Sequence, residues 1–286
     1  MRKRQIVLTC SILILGINTL LQGEVDVPER NLLEGPEFET ICKYVAEKNF
    51  DAVIEEAKRL KVEGNLDKKQ EMNVTNSEAR AYLEKNLQLL HPKEPSQEIS
   101  RKEIIMNADN AISLAQKVYD SAEFEYINTK DEDYKDIMSF SLFTLGHGFD
   151  HKDEFSKAID CFEKLIRNHP ESFAAPYGAG KLFSLYVNSR REEDGMNMLE
   201  ELARKYPEDE IGKAALFHKA IFLMHRRDYG KAKETFVEFK NRFPNDETFG
   251  EIDEQINYCD RKIKETENQP STHVGDISTS PTNAKR

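Results

Sequence analysis

Three segments of the sequence end in the same way, and the interval between them is constant. CFEKLIRNHPES, MLEELARKYPED and TFVEFKNRFPND place Pro170, Pro207 and Pro244 at intervals of 37 residues. Extended toward the N-terminus, the first and third segments also match at an offset of 74, in Lys157/Lys231, Ala158/Ala232 and Phe162/Phe236, and Phe155/Tyr229 is a conservative pair at the same offset. A fixed period of this length indicates a repeat protein, whose units are stabilised by stacking on their neighbours.

The residues inside each repeat favour two helices. Apolar residues recur at intervals of three and four, and no segment alternates convincingly with period two. Each proline ends a second helix, because it cannot donate a backbone hydrogen bond and restrains the residue before it. We expect small residues to allow close helix approach and phenylalanines to fill the gaps between helices; these are Gly146, Gly180, Ala158 and Ala232, with Phe149, Phe162, Phe183 and Phe236.

The first unit resembles a tetratricopeptide repeat. It reads Leu142-x2-Leu145-Gly146-x2-Phe149, then Ala158-x3-Phe162 and Pro170, with Leu142 in the place of the family's tryptophan. The second unit has Ala179-Gly180-x2-Phe183, a longer turn in VNSRREED, then Gly195-x3-Leu199 and Pro207. The third has Leu216, Ala220, Leu223, Ala232-x3-Phe236 and Pro244. The resemblance covers residues 139–247 and implies an all-α, right-handed α-solenoid, a superhelix of antiparallel helix pairs.

The remaining segments are assigned by composition and periodicity. Residues 37–62 look like a degenerate further repeat broken near Lys48-Asn49, and residues 63–138 are assigned only as helices, so 37–138 form a helical N-terminal region. Ser77 is predicted to cap one helix there, and Ser100 with Glu103 to form a capping box. Residues 248–267 are predicted to be a capping helix, and the Ser-, Thr- and Pro-rich tail 268–286 to be disordered.

The N-terminal residues predict export. A basic start, Arg2-Lys3-Arg4, precedes a mostly apolar run from Ile6 to Leu21, and Gly23 is a small residue at which cleavage could follow. The run is short and interrupted by polar residues, which favours a secretory signal peptide over residues 1–23, followed by an exposed linker over 24–36. An uncleaved membrane anchor is the alternative. We expect a periplasmic, envelope or secreted protein.

Charge and cysteines restrict the partners. The formal net charge is −11, and removal of residues 1–23, which hold three basic residues and no acid, makes it −14. A strongly acidic chain repels nucleic acid and anionic membrane surfaces, so neither is expected to bind. The three cysteines that remain after this removal, Cys42, Cys161 and Cys259, are widely spaced and odd in number, which argues against a zinc site or a redox pair. The sequence leaves a disulfide open and favours no particular pair.

Two short motifs have a chemical and a structural reading. His147 and His151 lie four residues apart beside Asp150, a spacing that can hold a metal, but the same residues fit the exposed side of a repeat's first helix. YGAGKLFS lacks the first glycine and the Ser or Thr of a phosphate-binding loop, so helix packing explains its glycines better. The sequence therefore predicts no catalytic residue, no metal site and no cofactor, and a protein that is not an enzyme.

The family resemblance implies a binding surface. The first helices of successive tetratricopeptide repeats line a concave groove that receives a peptide or a partner segment. By register, this groove comprises Phe140, Phe143, His147, Asp150, His151, Tyr177, Lys181, Ser184, Phe217, Ile221, Met224 and His225. In the alternative arrangement, the same row packs against residues 63–138 or against the C-terminal helix.

The chain is therefore expected to be a scaffold or adaptor that binds other proteins. It resembles bacterial envelope members of the family, of the outer-membrane assembly lipoprotein type and the Tol–Pal-associated periplasmic coordinator type. It lacks the cysteine at the cleavage point of the first type and the sustained heptads of the second. Two other functions remain open: an enzyme or metal-binding protein that uses the His147–His151 face or residues 63–138, and a structural module that forms homo-oligomers.

Overall fold

The structure, a computed structural model, describes residues 33, 35–90, 100–246 and 249–267, with Phe249 described by its backbone alone. The predicted signal peptide, most of the linker and the C-terminal tail lie outside the described residues. The described part of the chain contains helices and turns but no strand, so the prediction of an all-α fold is confirmed.

Eleven α-helices follow a short 3-10 turn at Pro36–Phe38 in the described residues. Their bounds are α1 Glu39–Ala46, α2 Phe50–Glu63, α3 Lys68–Leu90, α4 Arg101–Thr129, α5 Asp133–His151, α6 Phe155–Asn168, α7 Ala175–Asn188, α8 Glu192–Lys205, α9 Glu210–His225, α10 Tyr229–Arg242 and α11 Phe249–Glu267.

The chain divides into two compact units, of which the N-terminal one ends at Lys219 and the C-terminal one begins at Ala220, inside α9. Within the N-terminal unit, each helix from α1 to α7 packs on the next helix in sequence. In addition, α3 contacts α5, and α5 contacts α7. Within the C-terminal unit, α10 packs on α11, where Ile252 and Cys259 are buried. This order of helix pairs is that of a tetratricopeptide-like solenoid.

The turn inside the helix pairs recurs with the same geometry. Three residues join α1 to α2, α5 to α6, α7 to α8 and α9 to α10, and the middle one has a positive φ of 53° to 61°. The next backbone N–H donates to the carbonyl five residues earlier at 2.8–2.9 Å, in Asn49→Tyr44, Glu154→Phe149, Arg191→Tyr186 and Asp228→Leu223. The prediction of a longer turn in VNSRREED is therefore wrong, and residues 37–62 contain the same turn as the three repeats.

The residue in the left-handed region of each turn is not glycine, which gives a stability prediction. Arg190 has φ 58° and is exposed, so its Cβ crowds its own backbone without a compensating buried contact of the side chain. We expect Arg190→Gly to raise the free energy of unfolding by about 1 kcal/mol in urea titrations. Asn197→Gly, at an exposed position in the interior of α8, should lower it by about 1 kcal/mol. Destabilisation by both variants would contradict the turn geometry.

Residues 63–138 contain one further helix pair, α3 and α4, which are 23 and 29 residues long. The predicted cap at Ser77 is wrong, since Ser77 lies within α3 and its hydroxyl donates to the Asn73 carbonyl at 3.0 Å. The predicted cap at Ser100 is confirmed, because its Oγ accepts a hydrogen bond from the Glu103 backbone N–H at 3.3 Å. The long helices explain why the 37-residue period is absent here.

One aromatic ring packs on one glycine at the closest approach of the two helices of the first repeat. Phe162 of α6 is fully buried, and a Cβ added at Gly146 of α5 would lie 2.6 Å from its Cζ. In the second repeat the two residues are exchanged between the helices: the ring, Phe183, belongs to the first helix α7, and the glycine that packs on it, Gly195, belongs to the second helix α8. The prediction that Phe149 fills a gap is wrong, because Phe149 is only half-buried, with Lys157 Nζ 5.2 Å from its ring centroid.

None of the helices in the described residues combines the length and the apolar character needed to cross a membrane.

Candidate functional site

The first helices of the N-terminal unit form a layer of their own. Here α3, α5 and α7 are the first helices of successive pairs, and α3 contacts α5 while α5 contacts α7. The second helices α6 and α8 are instead separated by a groove of about 510 Å³ whose floor includes Leu182 and Tyr186 of α7. Close first helices and separated second helices place the first helices on the inner side of this unit.

We call this inner surface the first-helix face and define it by eight residues. They belong to α3, α5, α7 and the part of α9 before Ala220: Arg80, Glu84, Phe140, His147, Asp150, Tyr177, Lys181 and Phe217. Six of them were predicted from the repeat register, whereas Arg80 and Glu84 were missed because α3 shows no repeat pattern.

An ion pair lies at the centre of the first-helix face. Lys181 Nζ of α7 donates to Asp150 Oδ2 of α5 at 2.8 Å, and the two side chains are only 11% and 16% exposed. His147 lies one helical turn before His151 in α5, and its ring centroid is 4.5 Å from that of Phe143. Burial, together with the charges of Lys181 and Arg80, holds the pKa of His147 well below its usual value, so this imidazole is neutral at pH 7.

Arg80 connects α3 to this face. Its guanidinium lies over the Phe140 ring of α5 at 5.8 Å, and its Nε donates to Glu84 Oε1 at 3.3 Å. The Arg80 and Glu84 side chains are 17% and 22% exposed, so both charges are partly removed from water. The cation–π contact and the ion pair fix Arg80 of α3 beside Phe140 of α5. The Asp150–Lys181 pair instead joins α5 to α7.

The N-terminal helices cover the end of α5 at His151. Asn86 of α3 donates to His151 Nδ1 at 3.2 Å, and Asn107 of α4 donates to Asn86 Oδ1 at 2.9 Å. Arg101 of α4 donates to the His151 carbonyl at 2.8 Å. His151 is buried, and this burial lowers its pKa to about 4. The His151 ring thus packs against residues 63–138. This is the arrangement that the sequence analysis gives as the alternative to an open groove.

The two histidines do not form a metal site with their neighbours. Their ring centroids are 6.4 Å apart, and the Nδ1 of His151 is already bonded to Asn86. Among the residues that the structure describes, no three His, Cys, Asp or Glu side chains come together as metal ligands would.

Two other predicted groove residues of the N-terminal unit are interior. Phe143 is buried, with its ring centroid 6.0 Å from that of Phe162, and Ser184 is buried with its hydroxyl donating to the Gly180 carbonyl at 3.1 Å. Tyr177 is half-buried, and its ring centroid is 5.4 Å from that of Phe173. Phe140 and Phe217 are also half-buried, so these three aromatic residues remain accessible.

Three predicted groove residues belong to the C-terminal unit. Ile221 and Met224 are buried there, and His225 is exposed.

The helix pairs and their common turn define the class: an all-α helical-repeat protein. Residues 141–172, which are most of α5, all of α6 and the turn after it, match the family model described as tetratricopeptide repeat. The match covers one helix pair and identifies that pair as a tetratricopeptide repeat. No curated protein and no solved structure is significantly similar to the chain.

Proposed function

We propose that the protein is an exported scaffold that binds a segment of a partner protein on its first-helix face. The tetratricopeptide match supports a role in protein–protein interaction, since proteins of this family are typically non-catalytic scaffolds. The observation that carries the binding site is the set of half-buried aromatic residues on three successive first helices, Phe140, Tyr177 and Phe217. Aromatic side chains are enriched in protein interfaces because they bury a large area at a low entropic cost.

The arrangement suits a partner segment that runs across the helices. The helices α5, α7 and α9 each contribute one accessible aromatic side chain. The largely buried ion pair between Asp150 and Lys181 holds α5 and α7 together. A partner side chain that covers such a ring removes apolar surface from water, which is worth about 25 cal/mol per Å² before the costs of association.

The binding site is tested by photocrosslinking at chosen positions of the full-length chain. A benzoylphenylalanine at Tyr177 or at Phe217 is expected to crosslink a protein from the cell envelope, because both positions lie on the first-helix face. The same residue at Val62, which is 85% exposed on α2, serves as the control and should capture nothing specific.

A double variant separates binding from folding. Tyr177→Ala with Phe217→Ala should retain the helical circular dichroism of the wild type and lose affinity for the captured protein by about tenfold or more. If this variant keeps its affinity, or if Val62 captures the same protein, the first-helix face is not the binding site.

Export is proposed from residues 1–23 alone and is tested separately. Expressed in a bacterium with two membranes, the full chain is expected in the periplasmic fraction and the chain that begins at residue 24 in the cytoplasm. Retention of the full chain in the cytoplasm would contradict export, and its recovery with the membranes would identify residues 1–23 as an uncleaved anchor.

A further inference from the structure

We propose that the first-helix face selects an uncharged partner segment that is rich in aromatic and aliphatic side chains. This inference rests on the proposed function and adds the chemistry of the partner. The chain as a whole is rich in charge, with 33% of its residues charged and a net charge of −11. A surface of this chain with few charged residues is therefore not expected from the composition alone.

The first helices of the repeats have far fewer charged residues than the second helices. In α7, 14 residues long, Lys181 is the one charged residue. The equally long α8 contains seven: Glu192, Glu193, Asp194, Glu200, Glu201, Arg204 and Lys205. In α5, charged residues are confined to the two ends, and the sequence from Ile137 to Phe149 contains none.

The charges that do reach the first-helix face are paired within the protein. Lys181 is bonded to Asp150 at 2.8 Å, and Arg80 is bonded to Glu84 at 3.3 Å while it covers the ring of Phe140. Each pair sums to zero, and His147 between them is neutral at pH 7. Glu210 and Lys213 of α9, whose charges act on the Tyr177 hydroxyl, form a third pair at 2.5 Å. The charges at the face therefore sum to zero and attract neither an acidic nor a basic segment.

A charged partner residue would lose free energy on this face. It would give up its hydration beside half-buried aromatic rings and would have to compete with Asp150 or Glu84 for a cation that is already bonded. An apolar partner residue leaves both ion pairs intact and buries the rings of Tyr177 and Phe217 and the part of Phe140 that Arg80 leaves exposed. The core of protein interfaces is depleted of charged residues for the same reason.

A random peptide library displayed on phage, selected on the full-length chain, tests this inference. The selected peptides are synthesised, and their affinities are measured by fluorescence anisotropy at low and high salt. We expect sequences rich in Phe, Tyr, Leu and Ile with a net charge near zero. Their Kd should change by less than about twofold between about 0.05 M and 0.5 M salt.

Two variants show where the peptides bind. Tyr177→Ala with Phe217→Ala should weaken binding by about tenfold or more. Phe124→Ala with Ile127→Ala, which also removes two apolar side chains but from the exposed side of α4, should leave it unchanged.

The outcomes distinguish this inference from the proposed function. If the selected peptides are strongly charged, lose affinity by about tenfold in high salt and depend on Tyr177 and Phe217, the inference is wrong and the binding face stands. If the library yields no binder, or only peptides that bind the Tyr177→Ala, Phe217→Ala variant as well as the wild type, the proposed function is wrong and the inference falls with it.

Discussion

Phe162→Ala is expected to lower the free energy of unfolding by about 3–5 kcal/mol, as for other fully buried phenylalanines. Phe162 has no exposed surface and lies between Gly146, Phe143 and His147, whose ring centroid is 5.4 Å away. Removal of the ring leaves a cavity between α5 and α6. Urea unfolding followed by circular dichroism measures the loss, and Phe124→Ala, at a position that is 64% exposed, should change stability by less than about 0.5 kcal/mol.

A second substitution tests whether the ring and the glycine act as one contact. In the wild type, Gly146→Leu should destabilise, because the new Cβ would lie 2.6 Å from Phe162 Cζ. In the Phe162→Ala background the same change should stabilise, because the leucine refills the cavity from α5. The second repeat already shows the reversed arrangement, with Phe183 on its first helix and Gly195 on its second. Equal destabilisation in both backgrounds would contradict this packing.

The repeated part of the fold could be predicted because its determinants are local in sequence. Pro170, Pro207 and Pro244 follow helices that end at Asn168, Lys205 and Arg242, two residues before each proline. Ala158 and Phe162 mark the packed side of α6. The equal turns could not be predicted from residue types, because their left-handed positions are occupied by lysine, aspartate and arginine rather than glycine.

The helix pair α3–α4 could not be recognised as a pair because its helices are longer than those of the repeats and break the period. The same helix pair also contributes contacts to the candidate site that the repeat pattern does not reveal. The contacts that bury His151 come from Asn86 and Arg101, which lie 65 and 50 residues earlier in the sequence. The register of the repeats selects residues of the first helices α5 and α7, but it could not distinguish half-buried Tyr177 from buried Phe143 and Ser184.

Acidification from pH 7 to pH 4.5 is expected to destabilise the protein by about 2.5 kcal/mol for each of His151 and His218. Burial lowers the pKa of both to about 4, from an ordinary value of 6.5. Between these two values the unfolded chain binds more protons than the folded one, so stability falls as the pH is lowered through this range. The nearby carboxylate of Asp150 opposes the shift at His151, whereas Lys181 and Arg101 reinforce it.

The pH dependence is assigned to individual histidines by substitution. His218 packs against Gly180, where an added Cβ would clash with its Nε2, and this packing limits the hydration of the ring when it becomes charged. His218→Gln should therefore lower stability at pH 7 but flatten the dependence between pH 4.5 and 7, measured by urea titration at each pH. His225→Gln, at an exposed position, is the matched control and should leave most of the dependence unchanged. A slope that is the same in His218→Gln and in the wild type would show that His218 binds its proton equally in the folded and unfolded chains, and would place the acid sensitivity elsewhere.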